Sequence, residues 1–323
     1  MNMHRFTTLF SLLLAGATSC NAIAQAWPAR PLRAIVPYGI SSGPDLIGRV
    51  VAAELATRLG QPVIVENRLG AGGKIGVEAA AKAKGDPYTL FIGTVDTQCM
   101  LPHLFPGWDV NPLTDLIGVS PFTLAPLVIS ANPALPVTNI QELIGYAKAN
   151  PGVTYGSPGV ATILHLTGER LNDRFGTQLT HVPFRNWPEI FPAVQRGDLK
   201  LMISGILPVL GFLKDARLKP LVVTGKARMP ALPNVPTFSE SGIEGMEESP
   251  WWGLFTPAGV PVEIVNRLNQ EVVAITRTPA FNTRMENFAA IAIRATPAEF
   301  AASMAADSAK WGEIIRKAGV KME

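Results

Sequence analysis

Cysteine is nearly absent from this sequence. Cys20 and Cys99 are the two thiols in 323 residues, which excludes a scaffold stapled by disulfides. A surplus of one charge is missing as well. Lys+Arg 28 against Asp+Glu 25 leaves a formal +3, without the basic excess of a nucleic-acid binder. Histidine is scarce, and His103, His165 and His181 show neither H-x-x-x-H nor C-x-x-C spacing, so a metal site is not expected. Beyond the N-terminus no apolar run approaches the roughly 20 residues that span a bilayer. What is present in quantity is core-forming material. The hydrophobic fraction is 47%, too high for a disordered chain. The length exceeds what one core usually supports, so two domains are expected.

Residues 1–26 contain no acidic side chain. Arg5 supplies a positive start, Phe6 to Ala17 is a mostly apolar run, and Ala24-Gln25-Ala26 has the small-x-small form of a cleavage site. The segment reads as a secretory signal removed near Ala26, which implies a periplasmic location. An N-terminal membrane anchor is the rival, disfavoured by the shortness of the run. A lipid anchor at Cys20 is weaker still, because Ala17-Thr18-Ser19 matches a lipobox poorly. Removing Cys20 leaves Cys99 alone, with no motif around it. It is expected to be a buried, inert thiol.

Strand-like and helix-like segments alternate along the rest of the chain. Leu32 to Val36 reads as a buried strand. Leu46, Ile47, Val50, Val51, Leu55 and Leu59 form a helical stripe from Asp45, stopped by Gly60. Pro62 to Val65 and Thr89 to Gly93 are the next strands, separated by a short helix over Ile75 to Lys84. This β-α-β-α-β order predicts a parallel sheet covered by helices. The pattern then recurs. Leu127 to Ile129 is a strand, and Thr138 to Gln141 has capping-box spacing for a helix through Ala149. Val153 to Tyr155 leads to a helix over Val160 to Arg174. Further strands are predicted at Thr180 to Val182, Leu199 to Ile203 and Leu221 to Val223. Val262 to Arg277 is helical by spacing. Thr296-Pro297-Ala298-Glu299 is a capping box with proline at the first helical position, and Gly319 ends that helix. The fold class expected is α/β: two doubly wound α/β domains with a ligand cleft between them. The boundaries fall at 27–122 with 252–323 for one domain and 123–251 for the other.

Gly39-Ile40-Ser41-Ser42-Gly43 fits the letters G-x-S-x-G between a strand and a helix, the setting of a hydrolase nucleophile elbow. Only one strand precedes it after the leader, and no histidine has a triad context. A hydrolase using Ser41 is therefore the minor alternative. Gly70-Ala71-Gly72-Gly73-Lys74-Ile75-Gly76 fails the P-loop pattern at Arg68 and Ile75, and fails G-x-G-x-x-G at Ile75. A tight turn with close helix packing explains it better. Trp251-Trp252 is either core or cleft wall, and core is the expectation.

A matched pair of loops remains. Pro37 to Asp45 opens a helix in the first half, and Gly156-Ser157-Pro158-Gly159-Val160-Ala161-Thr162 opens one in the second. Glycine and serine leave backbone N–H groups reachable, and a helix N-terminus carries partial positive charge and unsatisfied donors. Such loops lie at the carboxyl ends of strands, where ligands bind in doubly wound sheets. Facing each other across a cleft, they form a clamp suited to a carboxylate. Three or four charge-assisted hydrogen bonds at about 1.5–3 kcal/mol each, less the cost of ordering, reach the roughly −8 kcal/mol of micromolar affinity.

Several segments resemble one family. They are Trp27-Pro28-Ala29-Arg30-Pro31-Leu32-Arg33, Ile35-Val36-Pro37-Tyr38, Leu59-Gly60-Gln61-Pro62-Val63-Ile64-Val65-Glu66-Asn67-Arg68 and Gly70-Ala71-Gly72-Gly73. Later come Tyr155-Gly156-Ser157, His165-Leu166, His181-Val182-Pro183-Phe184, Leu232-Pro233-Asn234-Val235-Pro236-Thr237 and Trp252-Gly253-Leu254-Phe255-Thr256-Pro257-Ala258-Gly259. Together they resemble the Bug family of solute-binding receptors, the periplasmic component of tripartite tricarboxylate transporters. The likeness runs over nearly all of the chain after residue 26. It implies two α/β domains closing on a ligand, as in type II periplasmic binding proteins, and no enzymatic activity or cofactor. It further implies a small carboxylate as guest: a di- or tricarboxylate, an acidic amino acid, or a nicotinate-like or other aromatic acid. Backbone amides and ordered water of the two loops would hold it. Carried onto this sequence, the site residues are Tyr38, Ile40, Ser41, Ser42, Gly43 and Asp45 in the first loop, and Ser157, Pro158, Gly159 and Thr162 in the second. Thr94 and Thr97 match positions lining the cleft. The partners implied are membrane transporter subunits, and the receptor is expected to be a monomer.

Departures from the family pattern bear on specificity. Ser41 and Ser42 stand where glycine is usual, adding donors or narrowing the pocket. Phe184-Arg185-Asn186-Trp187 replaces a Tyr-Lys-Gly-Ser-like run. Arg185 is a candidate partner for a second carboxylate and Trp187 for an aromatic ring, with a solvent-facing place as the alternative for both. Ser204-Gly205 replaces Asp-Asn; losing that acid argues against an amine-bearing ligand, and Ser204 joins the candidate site. Lys74 replaces a common Asn. A sensor-kinase receptor of the same fold is the remaining alternative.

Overall fold

The computed structural model describes residues 27–40, 42–184, 187–247 and 249–322. The leader with Cys20 and its cleavage site, Ser41, Arg185 and Asn186 lie outside the described residues. So does the side chain of Trp187.

The chain runs β1 (Leu32–Val36), α1 (Gly43–Leu59), β2 (Val63–Asn67), α2 (Lys74–Ala81) and β3 (Thr89–Thr94), then a π-helical turn, Asp96–Met100. The short α3 (Leu101–Leu104) and α4 (Pro112–Asp115) lead to β4 (Leu116–Leu124). A second group comes next: β5 (Leu127–Ala131), α5 (Ile140–Ala149), β6 (Thr154–Ser157), α6 (Ile163–Phe175), β7 (Thr180–Pro183), α7 (Trp187–Arg196), β8 (Leu201–Gly205), α8 (Ile206–Lys214) and β9 (Lys219–Val223). The chain returns through β10 (Trp251–Pro257), α9 (Val262–Thr276), α10 (Pro279–Asn287), β11 (Ile291–Ala292) and α11 (Pro297–Ala318).

Two sheets result. One has the order β11-β4-β10-β3-β1-β2 and the other β7-β6-β8-β5-β9. The fold is α/β with two domains, and the chain passes between the sheets at residues 125–126 and again over 224–250.

The parallel pairing expected of the first β-α-β-α-β run holds, and each sheet also takes in antiparallel strands. β1 pairs in parallel with β2 and β3, and β6 with β7 and β8. β10 runs antiparallel between β3 and β4, and β5 antiparallel between β8 and β9. These antiparallel strands are the ones that carry the chain between sheets, so they enter from the opposite end.

Local signals hold where the chemistry is local. Thr296 accepts from Glu299 N, and Glu299 reaches back to Thr296 N, completing the capping box of α11. Gly60 and Gly319 take left-handed conformations just past α1 and α11. At α5 the cap lies one residue later than predicted: Asn139, not Thr138, accepts from Glu142 N. α6 begins at Ile163 rather than Val160, because Ala161 has φ 63 and Thr162 is the N-cap. In the glycine loop, a Cβ on Gly76 would sit 2.7 Å from Pro37 Cβ and 3.0 Å from the Arg68 carbonyl. The loop glycines serve close packing, as expected.

One apolar cluster joins the two sheets, including Phe91, Phe255 and Phe300 from the first side and Leu127, Ile129 and Leu166 from the second. Trp251 is buried in this core, with Nε1 donating to Asp307 Oδ2 at 2.9 Å. Cys99 is fully buried, and burial pushes its thiol pKa well up.

Candidate functional site

Ser42 is the N-cap of α1. Its Oγ accepts from Asp45 N at 3.3 Å, and Pro44 pre-sets the first turn. The preceding loop is tied down from β2. Asn67 Nδ2 donates to the Tyr38 carbonyl at 2.9 Å and to Asp45 Oδ1 at 2.8 Å, while Arg49 Nε donates to the same oxygen at 3.0 Å. Asp45 is thus an internal post, buried beneath the loop it shapes.

The end of β3 faces this loop. Tyr38 OH lies 2.9 Å from Thr94 Oγ1, and burial, reinforced by the charge of Asp96, drives the phenol pKa far above its usual value. Thr97 closes the turn behind: its Oγ1 accepts from Thr94 N at 2.9 Å.

The second loop is built around Thr162. Its Oγ1 donates to the Gly159 carbonyl at 3.1 Å and accepts from His165 N at 3.3 Å. Ser157 Oγ lies 3.0 Å from the same carbonyl and 2.8 Å from His181 Nε2. The left-handed Ala161 donates its N–H to His165 Nδ1 at 3.0 Å.

A cavity of about 620 Å³ opens between these loops, lined by Tyr38, Ser42, Gly43, Thr94, Pro158 and Thr162 of the expected residues. The others stand elsewhere. Ile40 is 75% exposed, outside the cavity wall. Asp45, Thr97 and Ser157 are buried as supports of the loops. Gly159 supplies a carbonyl to the second loop rather than a wall. Ser204 is buried without facing the cavity, and its Oγ has no hydrogen-bond partner among the described residues. Ser41 and Arg185 are outside the described residues. A second hollow of about 630 Å³ lies along the last turns of α11 beside His103 and includes neither loop.

The cavity has walls that the residue pattern did not reveal. The start of α8 forms a third helix N-terminus there, from Gly205 to Pro208, and Gly205 has no side chain to cap it. Trp252 lines the cavity while its neighbour Trp251 is core, so the pair divides between both expected roles. Alternation of faces along β10 is the reason for this split. Asp96 also faces the cavity, and its Oδ1 accepts from Ile163 N at 3.0 Å. Burial raises its carboxyl pKa, against hydrogen bonds from Ile163 N, its own amide and Thr94. Among the described residues, the cavity wall contains no lysine, arginine or histidine. Nor do those residues hold a group of three or more His, Cys, Asp or Glu placed for a metal ion.

The family model described as tripartite tricarboxylate transporter family receptor matches residues 47–320. The chain belongs to this family. The Bordetella pertussis protein BugT is similar at 30% identity over 326 residues, covering 100% of both chains. A solved structure described as a periplasmic transporter has TM-score 0.80 and 30% identity, over 92% of this chain and 100% of that one. A protein of R. palustris solved with adipate has TM-score 0.80 and 28% identity, over 91% of this chain and 99% of that one. MatC from Rhodopseudomonas palustris, solved with bound malate, has TM-score 0.76 and 28% identity, over 89% and 99%. The chain is accordingly a solute-binding receptor of the TctC type and not an enzyme, and members of this family are periplasmic binding proteins.

Proposed function

We propose that this receptor, exported to the periplasm and cut near Ala26, captures a small organic carboxylate as its two lobes close. It then presents the guest, as a monomer, to the membrane subunits of a tripartite tricarboxylate-type transporter. The lobes we propose are residues 27–124 with 251–323 and residues 127–223, with the crossings at 125–126 and 224–250 between them. One observation carries this reading: the N-termini of α1, α6 and α8 all border one cavity whose described wall has no cationic side chain. Partial positive charge from backbone amides is then the chemistry on offer to an anion, and it favours a carboxylate without any covalent step. The relatives solved with adipate and malate support the same ligand class.

Thermal-shift screening of the mature protein against mono-, di- and aromatic carboxylates tests the reading. A ligand at about 100 times its Kd stabilises the folded state by about 2.7 kcal/mol and raises Tm accordingly. No shift with any acid, or turnover of an ester panel, would reject it.

A further inference from the structure

Asp96 is the feature of the cavity that a simple anion clamp does not explain. It opens the π-helical turn after β3, on the first sheet's side, and its Oδ1 accepts from Ile163 N at 3.0 Å, the first residue of α6 on the second sheet's side. A protein carboxylate thus already occupies an amide donor at the α6 N-terminus that a guest carboxylate would use. No Lys, Arg or His on the described cavity wall stands ready to neutralise it. Apart from Tyr38, Asp96 is the sole ionisable side chain on that wall. The rest of the wall is mostly apolar, with Leu104, Ile206, Trp252 and Phe288 among its members.

We propose that Asp96 is a specificity-determining charge filter: it rejects guests with a second carboxylate and favours a monocarboxylate whose apolar body ends in a neutral or, better, an ammonium group. This rests on the carboxylate-capture reading above. The guest's carboxylate meets the N-termini of α1 and α8, and its far end meets Asp96. A carboxylate at that end faces like charge in a low-dielectric cleft, whereas an ammonium supplies the missing counter-ion. Desolvation raises the Asp96 pKa and disfavours its carboxylate, an effect that a second anion beside it would deepen and an ammonium would offset. The relatives solved with adipate and malate held dianions, so this chain would differ from them in ligand charge.

Calorimetric titration with three matched series tests the filter. The probes are unbranched monocarboxylates, ω-amino carboxylates and α,ω-dicarboxylates of three to eight carbons, each with its benzene-ring counterpart. In the wild type, the best amino or monocarboxylate ligand should bind at least tenfold tighter than the best dicarboxylate. Asp96→Asn keeps an acceptor for Ile163 N and removes the charge; it should narrow that gap at least tenfold, mainly by tightening the dicarboxylate. The wild-type ranking stands by itself if the variant folds poorly. A dicarboxylate binding best to the wild type, or a gap unchanged in folded Asp96→Asn, overturns the filter and leaves carboxylate capture intact. Binding by no member of any series overturns both.

Discussion

The imidazoles of His165 and His181 lie face to face, with ring centroids 3.9 Å and planes 21° apart. His165 Nδ1 accepts from Ala161 N, so its ring proton sits on Nε2, 3.6 Å from Glu169 Oε1. His181 Nε2 is 2.8 Å from Ser157 Oγ. The stacked pair therefore braces the second cavity loop from behind, through both Ala161 and Ser157.

Two stacked rings resist carrying two charges. Burial, followed by the proximity of His165, pushes His181 down to about 4 from 6.5. Between those values the unfolded chain binds more protons than the folded one, so stability falls as pH falls through the window and levels off below about 4. With the ring half-buried and partly screened by solvent, the loss is on the order of 1–2 kcal/mol. Tm measured from pH 7 to 4 should drop, and His181→Gln should flatten part of that slope. Identical slopes in wild type and variant would exclude the pair as the source.

Asn67 should matter to the ligand site although it is not part of the cavity wall. It links the Tyr38 carbonyl to Asp45 Oδ1, at 2.9 and 2.8 Å. Asn67→Ala leaves both acceptors short of a donor, at a cost of about 1–3 kcal/mol. Denaturant titration should show that loss, and carboxylate affinity should weaken with it. Full affinity in the variant would detach Asn67 from the loop's alignment.

Gly168→Ala sets helix propensity against packing. Alanine gains about 1 kcal/mol over glycine within a helix. Its Cβ, however, would lie 2.2 Å from Tyr155 Cζ, and Tyr155 is fully buried with its hydroxyl 2.8 Å from the His165 carbonyl. Overpacking of about 1–3 kcal/mol should win, lowering Tm. A raised Tm would mean that Tyr155 moves aside freely.

Cys99→Ser should leave ligand binding unchanged. The thiol is buried, 3.5 Å from the Met304 carbonyl and away from the cavity. A serine hydroxyl can donate to the same carbonyl. Affinity equal to wild type by calorimetry is expected, with at most a modest fall in Tm; a large loss of binding would give the thiol a role.

Much of the site's framework was legible because loops at strand ends announce themselves locally. Ser42 and Thr162 stand beside helix starts that their own neighbours signal, and Thr94 ends a strongly apolar strand. β4 was not legible. Pro121 interrupts it, and its pairing register skips Phe122 between Trp252 and Gly253. A bulge of that kind lets proline into a sheet interior, and it depends on the partner strand. Without β4 and β10, the antiparallel pairs of the first sheet and the cavity-facing Trp252 could not be placed.

Periodicity, caps and glycine breaks along the chain determined the α/β class, most helix ends and the two loops that border the cavity, because each depends on residues a few positions apart. The tertiary structure alone decided the mixed sheets, the third helix end at Gly205 and the meeting of Asp96 with Ile163. Those relationships join residues far apart in sequence. Which distant groups share one cleft, and so feel each other's charge, is a matter of packing and not of any local pattern.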